Sequence, residues 1–233
     1  MRKYATECRT GVPMDMRVTD LFGVLPSKRQ EAWNALTHGM GLFVSIPASI
    51  VLLFKAFRTE DEVTLLASVI FSFALLFLYA ASTLYHSIQR IRIKFFLRKL
   101  DHSAIYIFIA ASYTPFSLIL LRDHPWMGWP LFVFIWSAAV AGIMYKTFFI
   151  HKFDTIATLL YLAMGWVAIL GVSEIVQRLE PAGLVLLVAG GLSYTLGVAF
   201  YFWSSLRAHH AIWHLFVLSG SLLHYWTIHS FVL

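Results

Sequence analysis

Cysteine is almost missing from this chain. Cys8 is its only thiol, so no intramolecular disulfide can form, no CxxC-type metal site exists, and Cys8 is given no role. Charge is scarce as well: 13% of residues are Asp, Glu, Lys or Arg, against about 25% in soluble domains, which excludes an ordinary soluble fold. No Pro-, Ser- or Gly-rich linker divides the sequence, so it reads as one domain. The first 30 residues, with Pro13 and Pro26, hold no apolar stretch of the kind a cleavable signal peptide needs, and insertion is expected to begin with the first helix.

What fills the chain instead is apolar, 59% by residue count. Seven runs are free of Asp, Glu, Lys and Arg: 35 to 54, 63 to 89, 102 to 121, 124 to 145, 155 to 173, 181 to 206 and 208 to 233. Each is near or above the roughly 20 residues that a helix needs to cross the hydrocarbon core. Transmembrane strands would instead alternate over about ten residues. The expectation is an all-α integral membrane protein, a seven-transmembrane-helix bundle over 31–233 behind a tail at 1–30. Its approximate helices are 35–54, 63–87, 101–121, 126–146, 155–174, 182–206 and 209–232.

Lys and Arg set the orientation. Fourteen of them lie in the tail and after helices 2, 4 and 6, and four lie on the other side, so the N-terminus is expected in the cytoplasm and the C-terminus outside, in the plasma membrane. The net charge of +6 then reports topology and anionic lipid headgroups rather than nucleic acid, since no soluble module remains to bind it. The run Arg90, Arg92, Lys94, Arg98, Lys99 reads first as a topogenic loop and second as a headgroup clamp. Pro47 and Pro115 are expected to kink helices 1 and 3. Ala138, Gly142, Gly190, Gly191 and Gly197 would allow close helix approach.

Ionisable side chains in membrane segments are costly and mark function. His210 and His214 lie four apart at the start of the last helix, on one face. A lone HxxxH carries little weight among ten histidines. Here, however, His86 ends helix 2 and Asp101 begins helix 3 at the same depth, with Ser82 one turn from His86. Three imidazoles plus a water make a catalytic zinc arrangement, one Zn2+ ion with an open position. Asp101 is the candidate general base or a carboxylate that supports the metal ligands, and Ser82 the candidate to orient the water or an oxyanion. Glu31, Asn34 and His38 share one face ahead of helix 1, read as an interfacial lead-in or as support for the metal ligands. His209 points away from the pair, toward headgroups or loop. His224 and His229 lie about 15 Å or more further along the helix, outside the site.

Five stretches together resemble the hemolysin III family, within the progestin and adiponectin receptor family and the superfamily of membrane metal-dependent hydrolases that includes alkaline ceramidases. They are EAWNALTHGMG (31–41), STLYH (82–86), DHSAIYIFIAASYTP (101–115), YLAMG (161–165) and HAIWHLFV (210–217). The resemblance implies a seven-helix bundle with its N-terminus inside and a zinc held by His86, His210 and His214, with Asp101 and Ser82 beside it. In adiponectin receptors the similar site is associated with ceramide hydrolysis; bacterial relatives are linked to membrane-fluidity homeostasis or, by name, to haemolysis. The expected function is zinc-dependent hydrolysis of a membrane lipid amide or ester. A receptor or membrane-state sensor with structural zinc is the alternative. A pore-forming cytolysin is disfavoured, because the ionisable groups crowd one side.

Overall fold

The computed structural model describes residues 26–148 and 154–233. Most of the expected tail, with Cys8 and Pro13, lies outside them, as does Lys152. The described residues are helical throughout, without a strand: α1 (Lys28–Phe57), α2 (Glu62–Ser87), α3 (Ile91–Pro115), α4 (Trp129–Phe148), α5 (Asp154–Gly165), α6 (Val172–Arg178), α7 (Pro181–Phe202) and α8 (His209–Thr227). π turns extend α3 over Phe116–Leu120 and α8 over Ile228–Val232, and a 3₁₀ turn at Val167–Gly171 joins α5 to α6 into one span. Among the described residues, seven helical segments are long and apolar enough to cross a membrane.

Two helices begin earlier than the charge-free runs. Ser27 caps α1, its Oγ accepting from the Gln30 amide at 3.3 Å while the Gln30 side chain accepts from the Ser27 amide at 2.8 Å. This capping box carries the helix through Glu31 and Asn34. Helix α3 starts at Ile91, so four of the five residues read as a basic loop are helical. Absence of charge marks the hydrocarbon-buried part of a helix, and the backbone continues past it into the interface.

The helices pack in sequence, α1 on α2, α2 on α3, α3 on α4 and α7 on α8, while contact of α1 with α8 joins the two ends of the chain. Helices α2 and α3 supply most of the buried core, including Phe71, Leu75, Leu78, Ala104, Phe108 and Ala111. Apolar side chains such as Phe43, Phe73, Phe148 and Leu170 stay exposed on the outside, as a lipid-facing surface requires. Trp129 opens α4 and Trp203 follows α7, at the depth of an interfacial aromatic belt. Gly142 lets α4 close on α3, since a Cβ there would come within 2.2 Å of the Tyr106 ring; Gly191 meets nothing.

The break expected at Pro115 is a switch from α to π hydrogen bonding, with Leu121 donating to the Phe116 carbonyl at 2.8 Å. A second break, in span five, has no proline. Tyr113 bridges it, its hydroxyl lying 3.0 Å from the Met164 carbonyl and 2.7 Å from that of Gly165 while accepting from the Ala168 amide at 2.9 Å. One phenol satisfies backbone groups that hydrocarbon would leave bare. Span five otherwise packs lightly between α4 and α7.

Candidate metal centre

Up-and-down threading brings the start of α1, the end of α2 and the starts of α3 and α8 to one end of the bundle. There His86, His210 and His214 converge. Ring centroids are 5.2 Å apart for His86 with either partner and 4.6 Å for His210 with His214. Each offers a ligand atom within 4.8 Å of the others, so the buried group can hold a single metal ion.

Helix α1 decides which nitrogen faces the centre. His86 Nδ1 lies 2.5 Å from Glu31 Oε2, and a carboxylate only accepts, so Nδ1 carries the proton and Nε2 keeps its lone pair. His214 Nδ1 lies 3.2 Å from the Asn34 carbonyl and 3.0 Å from Thr37 Oγ. The Thr37 hydroxyl already donates to the Trp33 and Asn34 carbonyls, so His214 Nδ1 is the donor and its Nε2 is again the bare acceptor. Both Nε2 atoms are sealed from solvent with no hydrogen-bond partner. Two buried imidazole lone pairs without a proton to accept are what a cation would satisfy, so the donor set fits a metal.

Glu31 is itself held. Its second oxygen meets Lys94 Nζ at 2.8 Å, with both side chains 3% exposed. Lys94 also donates to the Tyr85 carbonyl at 2.9 Å and stands over the Tyr85 ring. Sequence reasoning placed Lys94 in a basic loop and passed over Thr37; neither has a periodic signal that points to a partner on another helix. Asn34 adds a side-chain contact with His86 Nδ1 at 3.5 Å. His38 stacks on the His214 ring, centroids 3.5 Å apart at 17°, and neither of its nitrogens has a partner.

Ser82 lies one turn below His86 and is buried. The Asp101 carboxylate lies beside Ser82 and within electrostatic reach of His86. His209 turns away from the centre, its Nδ1 3.3 Å from the Phe200 carbonyl at the end of α7. A cavity of about 610 Å3 starts here, lined by His38, His86, Asp101 and His210, and runs through the bundle to Phe116, Leu121, Leu131 and Ile175. Its far wall is apolar.

Residues 27–225 match the family model described as "Haemolysin-III related". The chain is 41% identical over 205 residues to Hemolysin-3 of Bacillus cereus, covering 88% of this chain and 93% of that protein. It is 43% identical over 193 residues to the Hemolysin-3 homolog of Bacillus subtilis, covering 83% and 90%. A more distant similarity, 31% over 219 residues, is to the human Monocyte to macrophage differentiation factor, covering 89% and 86%.

Proposed function

We propose that this chain, which belongs to the haemolysin III-related family, is a zinc-dependent integral membrane hydrolase. Its substrate would be a lipid amide or ester of the plasma membrane, its role would lie in membrane lipid homeostasis, and its metal end would face the cytoplasm. The observation that carries this reading is the pair of buried, partnerless Nε2 atoms of His86 and His214, with His86 and His210 lining a long, largely apolar cavity. A purely structural ion would not need that cavity.

His86, His210 and His214 would hold the ion. Zinc, when bound, supplies Lewis acidity that activates water at neutral pH and polarises a carbonyl. Asp101 takes the proton of the attacking water and returns it to the leaving amine or alcohol. Ser82, buried beside Asp101, donates to the oxygen on which charge develops. The cavity accepts the acyl chain and excludes bulk water, while basic residues near the metal end meet anionic lipid headgroups. The relatives' name raises a lytic pore, which needs a polar path through both leaflets, whereas among the described residues the cavity ends on Phe116, Leu121, Leu131 and Ile175.

Asp101→Asn and Ser82→Ala test these roles. Each should keep its zinc while turnover of a lipid amide falls by about a hundredfold or more. Unchanged turnover in both variants would refute the assignment.

A further inference from the structure

Ten residues beyond His214 on α8, about 15 Å along the axis, His224 meets Tyr194 of α7 edge to face, with ring centroids 5.3 Å apart at 81°. Both side chains line the cavity that starts at the metal centre. Each is seated on a glycine of the opposite helix. A Cβ at Gly190 would come within 2.2 Å of the His224 ring, and one at Gly220 within 2.7 Å of the Tyr194 ring. The two helices thus exchange a polar ring for a glycine twice, which builds the pair into the packing of α7 against α8.

The hydrogen-bonding state of the pair follows from its neighbours. His224 Nε2 lies 3.3 Å from the Leu187 carbonyl; a carbonyl only accepts, so Nε2 carries the proton and Nδ1 is a lone-pair acceptor. That Nδ1 has no partner, and neither does the Tyr194 hydroxyl, although both atoms are sealed from solvent. The nearby hydroxyls of Tyr79 and Ser221 bond to each other, and Ser221 also donates to the Leu218 carbonyl. They form a separate, satisfied pair. What is left, on two side chains that line the cavity, is one acceptor and one phenol.

A group that donates once and accepts once complements that arrangement, and an alcohol does both. A carbonyl oxygen would answer Tyr194 and leave Nδ1 bare. A buried water makes two to four hydrogen bonds, so with these two partners it would sit at the low end of that range; a hydroxyl on an apolar chain needs only two, and its methylenes cover the remaining wall. We propose that His224 and Tyr194 form a hydroxyl-recognition subsite, and that the cavity takes a lipid chain hydroxylated well away from its carbonyl end. The chain hydroxyl donates to His224 Nδ1 and accepts from the Tyr194 O–H. This rests on the reading above that the lipid carbonyl sits at the metal, which sets the subsite at mid-chain rather than beside the carbonyl.

The test is displacement of a fluorescent fatty acid from the full chain in nanodiscs. Oleic acid, ricinoleic acid, which adds one mid-chain hydroxyl, and α-hydroxyoleic acid serve as competitors. Ricinoleic acid should bind about tenfold tighter than oleic acid, the scale of a buried hydrogen-bond pair gained, and the α-hydroxy isomer should gain nothing. Tyr194→Phe and His224→Phe should each bring ricinoleic acid to parity with oleic acid while leaving oleic acid binding in place. Equal binding of the two acids to the wild type, or a preference that survives both variants, overturns the subsite and leaves the hydrolase reading standing. Failure of all three acids to bind overturns both. Should His224→Phe not fold, Tyr194→Phe decides, because it removes a single oxygen.

Discussion

Glu31 Oε2 stands 2.5 Å from His86 Nδ1, so a carboxylate on the first helix fixes the proton, and with it the ligand nitrogen, of an imidazole on the second. Partners of this kind hold ligand orientation and basicity, and their loss weakens metal binding 10–100-fold, to order of magnitude. Glu31→Gln should lower zinc affinity by about that range, measured by competition with a chromophoric chelator. Unaltered affinity would sever α1 from the metal centre.

Glu31 also balances Lys94, and the balance predicts a non-additive pair. Removing one partner of a buried ion pair leaves the other charge uncompensated, at about 3–5 kcal/mol, whereas replacing both can be nearly neutral. In thermal melts, Glu31→Gln and Lys94→Met should each destabilise more than the double variant does. Additive losses would contradict the pairing.

Tyr113 makes a comparable claim for span five. Tyr113→Phe strips partners from the Met164 and Gly165 carbonyls and the Ala168 amide. The expected loss is about 1–3 kcal/mol, with faster hydrogen exchange confined to residues 164–171. Exchange unchanged there would show that the break is held by other groups.

At the other end of the bundle, between α1 and α2, Arg122 binds Asp61 through two bonds, 2.6 and 3.3 Å long, and Thr64 adds its own. The Arg122 guanidinium, foremost, holds the Asp61 carboxyl well below its ordinary value of 3.8. The folded chain therefore binds fewer protons here than the unfolded one, so this contribution is present above about pH 4 and is lost as pH falls further. Acid melts of Asp61→Asn should lose less stability over that window than those of the wild type. Parallel curves would show that the pair is fully screened.

The seven spans were legible because hydrocarbon tolerates so little charge that gaps between charged residues mark them. The convergence of His86, His210, His214 and Asp101 was legible too, since each lies at a helix end whose depth those gaps fix. Less visible was anything that depends on which faces meet. Lys94 looked like one of five interchangeable basic residues, yet its ammonium lies against Glu31. His224 read as a residue outside the site, in the core or at the outer interface, and its orphaned Nδ1 emerges only once Leu187 is placed beside its Nε2. The interruption of span five escaped notice because the group that makes it tolerable, Tyr113, is some 50 residues away in sequence.

Elemental analysis of the purified protein, paired with lipid-amide turnover, tests the metal centre in wild type and His214→Ala. A single zinc per wild-type chain with catalytic turnover is expected, and loss of both in the variant. A wild-type protein that holds no metal, or a His214→Ala protein that retains both zinc and turnover, would contradict that expectation.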